Sequence, residues 1–145
     1  MRYEEDDYSL SFCYESSEFE HHRAWLCFGP LEVAVSCVNG QLLGVSGYRA
    51  RRIWVGSPLS PFGPILSGAL VFEGFGHCQA GVGYTMQGVE LEAVKFNSKS
   101  GWAHVGDASA EFDILVEFAT NCCAAICDQR VVALWIHPEN WRELV

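Results

Sequence analysis

The chain has 145 residues, half of them hydrophobic and 19% charged, with a formal charge of −9. That balance excludes a disordered chain, and the length suits one domain, residues 1–145, that buries its own core. The negative charge argues against nucleic acid and anionic membrane as partners, since both call for a basic protein surface.

The first seven residues include Glu4, Glu5, Asp6 and Asp7 and read as a loose acidic tail. Residues 1–47 carry eight acids and two bases, so most of the excess charge lies at the front of the chain. Tyr8, Leu10, Phe12 and Tyr14 alternate with other residues, which is the period of a half-buried strand. Residues 15–22 form a polar connector containing Glu18 and Glu20. Ser17 and Glu20 have capping-box spacing, which predicts a short helical turn within 16–22. A strand over 24–28 ends at Gly29-Pro30.

Residues 31–48 give the clearest local instruction. Two runs of strand formers flank Asn39-Gly40, a dipeptide suited to the positive φ angles of a type I′ turn. With those two residues as the loop, Val35 pairs with Gly44 and Leu31 with Tyr48. Both faces of the resulting hairpin are at least half apolar, which places it inside the fold with only its tip exposed.

Arg49, Arg51 and Arg52 form a basic cluster just before Trp54. Three of the five prolines follow within residues 56–64, which predicts a long loop, because proline donates nothing to a strand ladder. The apolar run 65–72 predicts a strand buried on both faces. Glycines between 74 and 88 suggest turns and a bulged corner. Strands are expected over 89–96 and 102–105, and residues 112–118 alternate cleanly. Residues 122–127 and 131–136 predict a central hairpin around Asp128, Gln129 and Arg130. Pro138 opens a short helical turn within 138–145. The sum is a mainly β protein, an antiparallel sandwich or partly closed barrel of nine or ten short strands.

No residue pattern specifies a catalytic or metal centre. Gly44-Val45-Ser46-Gly47 lacks the spacing of a nucleophile elbow. His77 and Cys78 are neighbours, but extended neighbours point to opposite sides. His21 and His22 lie beside acids without ligand spacing. Glu90 with Glu92, and Glu111 with Asp113 and Glu117, have the alternation of a wetted strand face. The seven cysteines are odd in number and contain no Cys-x-x-Cys, so they read as buried free thiols. The N-terminus has no apolar signal segment, and a cytoplasmic location is the expectation. No cofactor and no metal are expected, and an enzyme is less expected than a binding protein.

The function expected is that of an acidic protein-binding module. It would be an inhibitor or immunity-type protein that neutralises a basic partner by occlusion and charge complementarity. Glu4, Glu5, Asp6, Asp7, Glu18, Glu20 and Trp54 are the expected contact residues. The apolar excess also leaves a homo-oligomer open. The alternative is a small-molecule-binding barrel or sandwich with an aromatic-lined pocket, with or without catalysis.

Overall fold

The computed structural model describes residues 1–4, 9–11, 22–48, 54–86 and 93–144. Thirteen strands occur among them: β1 (Arg2–Glu4), β2 (Ser9–Ser11), β3 (Arg23–Phe28), β4 (Leu31–Ser36), β5 (Leu42–Tyr48), β6 (Val55–Gly56), β7 (Ile65–Ser67), β8 (Gly83–Thr85), β9 (Lys95–Phe96), β10 (Ala103–Gly106), β11 (Ile114–Ala119), β12 (Cys122–Cys127) and β13 (Arg130–Ile136). They form a six-stranded sheet, β1-β2-β5-β4-β3-β8, and a seven-stranded sheet, β6-β9-β10-β13-β12-β11-β7. The fold is a mainly β sandwich. The expected antiparallel pairing holds in the sheet interiors, whereas β6, β7 and β8 join in parallel, each as a short edge strand.

The period-two pattern of the sequence decides which side chains enter the main core. Ala24, Leu26 and Phe28 of β3 face inward with Leu31, Val33 and Val35 of β4. They meet Val105, Phe118, Cys122, Ala124, Leu134 and Ile136 of the second sheet. A smaller apolar layer covers the opposite face of the seven-stranded sheet, around Leu115, Cys123, Ala125, Ala133 and Trp135. Cys122 and Cys123 thus enter different layers, as neighbours on a strand must. Both layers need β12 and β13, which confirms the second hairpin as central. Truncating Trp135, 1% exposed, removes on the order of 3–5 kcal/mol.

The proline-rich segment has a structural role that its composition does not advertise. Residues 57–64 join β6 to β7, and these lie at opposite edges of one sheet and run the same way. The segment therefore crosses the sheet as a strap. At its start, Ser57 Oγ lies 3.4 Å from His104 Nε2, and Asn97 Nδ2 donates to the carbonyls of Pro58 (2.9 Å) and Leu59 (3.2 Å). At its end, the ring of Phe62 packs on Phe112 at 4.7 Å. Six inter-strand steps span about 29 Å in a flat sheet. The nine Cα–Cα steps from Gly56 to Ile65 reach about 32 Å at full extension. The connection is therefore close to its limit. It fits because the sheet curls and because proline and the residues before it favour extended backbone.

Several sequence expectations change here. The hairpin at 31–48 exists, but Leu31 pairs with Gly47 and Ala34 with Gly44. Its loop is four residues, 37–40. Gly40 N–H donates to Ser36 O (2.8 Å), and Ser36 Oγ accepts from the N–H groups of Val38 and Asn39. Asn39 does not take a positive φ; Gly40 alone does, at 75°. The tip is exposed at Asn39, as expected, but not at Gly40. Gly40 is buried, its carbonyl accepts from Phe72 N–H (2.8 Å), and a Cβ on it would lie 2.6 Å from the Phe75 ring. The type I′ signature falls instead on Asp128 and Gln129, at φ 47° and 62°.

The acidic front is not loose at its start. Arg2–Glu4 pairs with β2, Tyr3 is 1% exposed, and Asn140 exchanges hydrogen bonds with the Tyr3 backbone (3.1 and 2.8 Å). The run 65–72 is not buried on both faces. Its first half is an exposed edge strand, and its second half crosses to the other sheet, where Val71 bridges Gln41 and Leu42 N–H donates to Leu70 O (2.9 Å). The expected helical turn near the end is a 3-10 turn at Trp141–Leu144, and a second lies at Glu73–His77. The expected turn at 16–22 falls almost wholly outside the described residues.

Candidate functional site

Of the expected contact residues, Glu5, Asp6, Asp7, Glu18 and Glu20 lie outside the described residues, as do His21, Glu90 and Glu92. Glu4 is exposed and its Oε1 accepts from Arg2 Nε at 3.0 Å. Trp54 is 8% exposed and sits edge-on to Tyr3 (5.3 Å) and Phe96 (5.6 Å), so it packs the core. Of the remaining acids of interest, Glu111 and Asp113 gather with Asp128 around Cys127 at the start of β11, the strand beside β7, while Glu117 lies further along β11, opposite Ser67.

That edge is built from the strap and the strand after it. Phe62 is 53% exposed, Ile65 42%, Leu66 50% and Ile114 37%. The parallel register pairs Leu115 with Ile65, Val116 with Leu66 and Glu117 with Ser67. Gly68 N–H donates to Glu117 O at 3.1 Å. In a parallel ladder alternate residues turn their backbone groups to the same neighbour. Leu66 and Gly68 therefore face β11, while Ile65 and Ser67 turn their N–H and C=O groups to the open side. Among the described residues β7 is the last strand of its sheet, so there these groups form an unpaired edge with apolar side chains on either face.

Carboxylates border this apolar edge. Asp113 Oδ2 accepts from Asp128 N–H at 2.9 Å, which joins the start of β11 to the β12–β13 turn. Glu117 Oε1 accepts from Asn121 N–H at 2.9 Å. Cys127 feels the cluster: its thiol pKa is raised first by burial, then by Asp113, Asp128 and Glu111. Among the described residues no cation lies within ion-pair distance of these four acids, although Arg130 is nearby in sequence. Burying apolar surface here would also desolvate the acids at its rim, which favours a contact that supplies positive charge.

A second concavity lies on the outer face of the six-stranded sheet. This cleft of about 260 Å³ is lined by Ser9, Leu10, Ser11, Arg23, Trp25, Glu32 and Ser46. The Arg23 guanidinium stands 5.7 Å from the Trp25 ring centre. Apolar atoms make up most of its lining, but Trp25 is the one aromatic among its seven lining residues, unlike the aromatic pocket expected from the tryptophan content.

The described cysteines have the character of structural thiols. Burial pushes Cys122 and Cys123 up to about 12, with Glu117 adding to the effect at Cys123. Cys78 is also raised, by burial first and then by Cys37, which is opposite to what a nucleophile needs. Its sulfur contacts Gly74 O at 3.9 Å, while the backbone carbonyl of His77 receives the Tyr84 hydroxyl. Among the described residues no three His, Cys, Asp or Glu side chains are grouped to hold a metal ion. No described helix is long and apolar enough to cross a membrane.

The chain matches no protein-family model, no curated protein and no solved structure.

The β7 edge was not legible as a site in the sequence. Its acids were visible as a wet strand face, and its apolar residues as core. Only the topology, which brings residues 62–67 beside 111–117, puts the two together.

Proposed function

We propose that the protein is an acidic binding module for a basic protein partner, acting by occlusion and charge complementarity. The observation that carries this reading is the exposed apolar edge of Phe62, Ile65, Leu66 and Ile114, bordered by Glu111, Asp113, Glu117 and Asp128. An apolar patch with a charged rim is the usual anatomy of a protein contact surface. The acids steer a cationic partner to it and reject anionic ones. Glu4 and the acids at 5–7, 18 and 20 add to the net negative charge of the chain. An inhibitor or immunity-type role fits the same physical character, by analogy alone.

The test is capture of partners from the native cell by the unaltered chain and by a Glu111→Lys/Asp113→Lys variant, with mass spectrometry of what each retains. The reading expects a stoichiometric basic protein that the variant loses. Its association rate should fall steeply as salt is raised to about 1 M, where the Debye length is about 3 Å. A partner whose association rate ignores salt would refute the reading.

The cleft beside Arg23 and Trp25 favours a second reading, a small-ligand site. Its size suits a small polar molecule, and Arg23 suits an anionic one. Quenching of Trp25 fluorescence by small carboxylates or phosphates, lost in Arg23→Gln, would support it. An unchanged signal at millimolar ligand would end it.

A further inference from the structure

We infer that the partner binds by adding an extended segment to β7, a segment with apolar residues in its middle and lysine or arginine at its ends. The inference rests on the acidic-module reading above and specifies how that module makes contact.

Two independent features of the edge define the segment. The first is backbone chemistry. Ile65 and Ser67 each present one donor and one acceptor to the open side, a template for a further strand. The exposed side chains of Ile65 and Leu66 project to opposite faces, so an added strand would find an apolar neighbour on each. Phe62 extends the apolar surface at one end. At the other, the chain leaves for the second sheet through Gly68 and the Val71 bridge, which limits the added strand to about four paired residues.

The second feature is charge. Glu111, Asp113 and Asp128 cluster at the start of β11, and Glu117 lies further along the strand, opposite Ser67. An added strand therefore runs between carboxylates at both ends of its paired stretch. A second copy of this chain is the wrong occupant, because edge-to-edge pairing would bring two sets of these acids together. A helix is also disfavoured, since it leaves the outward N–H and C=O groups of Ile65 and Ser67 unpaired beneath it.

The test uses a synthetic nine-residue peptide of alternating valine and threonine with two lysines at each end. Isothermal titration should show binding that weakens about tenfold or more when glutamines replace the lysines, or when salt is raised to about 1 M. Amide exchange should slow at Ile65 and Ser67. Ser67→Pro removes only an outward N–H and should cost about tenfold or more, while Ser67→Ala should bind as the unaltered chain does. Because Ser67→Pro has some risk to folding, the peptide is also made with its valine amides N-methylated, and separately with its threonine amides N-methylated. One of the two must lose binding, since alternate residues face the edge.

Several results would overturn the inference. No peptide binding at about 1 mM would do so. So would binding that survives both N-methylated forms, or self-association of the chain that excludes the peptide. Loss of binding in Glu111→Lys/Asp113→Lys with no effect of N-methylation would end strand addition while leaving the acidic-module reading intact. Strand addition with no salt dependence would do the reverse.

Discussion

Asn97 is the residue on which the strap depends, and replacing it with alanine tests whether residues 57–64 are held or merely lie over the sheet. Asn97 is 7% exposed. Its Nδ2 donates to Pro58 O (2.9 Å), Ser60 Oγ (3.1 Å) and Leu59 O (3.2 Å). Its Oδ1 accepts from the N–H groups of Lys99 (2.9 Å) and Ser100 (3.3 Å), which shapes the β9–β10 turn. The two shortest bonds are worth about 1 kcal/mol each and the three longer, partly shared ones about half that. Pro58 and Leu59 are exposed, so water recovers part of their loss. The net expectation for Asn97→Ala is about 3 kcal/mol. For a domain of this size that lowers Tm by about 9 °C. Differential scanning calorimetry measures it. The indole NMR signal of Trp135, tilted against His104 at 4.5 Å beneath the start of the strap, should shift in the same variant. Asn97→Asp keeps the acceptor but sets a carboxylate against two carbonyls, and should be no better than alanine. A Tm within about 2 °C of the unaltered chain, with the Trp135 signal unmoved, would refute the holding role.

Two further outcomes follow from local geometry. Gly40 and Gly63 both have positive φ, 75° and 80°, but an added Cβ at Gly40 meets Phe75 at 2.6 Å and Phe72 O at 2.8 Å, whereas Gly63 has nothing within 4 Å. Gly63→Ala should cost about 1 kcal/mol in urea unfolding and Gly40→Ala about 3 kcal/mol, and equal costs would show that the hairpin tip is not packed on residues 72–75. Cys122 and Cys123 keep their protons to about pH 12 in the folded state against an ordinary value of 9.0. The unfolded chain releases these protons first, so their contribution is complete below about pH 9 and is lost as pH rises toward 12. The unfolding free energy from urea titration should decline across that window, by up to about 1.4 kcal/mol per pH unit for each thiol, and Cys122→Ala/Cys123→Ala should flatten the decline.

Local chemistry made some of this fold readable and left other parts hidden. The second hairpin was visible because both of its strands are apolar on both faces and turn residues separate them. The first hairpin was visible in position but not in register. The Ser36 hydroxyl and the Phe72 N–H decide its loop, and the second of these lies 32 residues beyond Gly40. Tyr3 is flanked by charges in a strand too short to show a period, so its burial under Trp54 and Asn140 had no local signal. Ile65 and Leu66 misled for a different reason. Adjacent apolar residues mark a strand buried on both faces, but they cannot show whether the strand lies at a sheet's centre or its edge. That depends on the strap, which delivers residue 65 to the far side of the sheet. The contact edge was therefore concealed by the same connection that creates it.

An exposed apolar edge strand is a hazard as well as an opportunity, and the acids around β7 bear on both. Charges beside an open edge oppose pairing between copies. The same charges attract a strand that ends in lysine or arginine. One set of residues thus separates the two outcomes by the sign of the incoming charge. Removing the charge while keeping the shape should then remove the discrimination. Glu111→Gln, Asp113→Asn, Glu117→Gln and Asp128→Asn together retain side-chain acceptors for the Asn121 and Asp128 N–H groups. Asparagine also tolerates the positive φ at position 128. The fold should persist, and the quadruple variant should self-associate in sedimentation at about 100 µM, where the unaltered chain should stay monomeric. Adding Ser67→Pro should restore the monomer, because it removes an edge donor and no charge. If the uncharged variant remains monomeric, then the shortness of β7 keeps copies apart, and the acids are left with the recruitment of a basic partner as their only role at this edge.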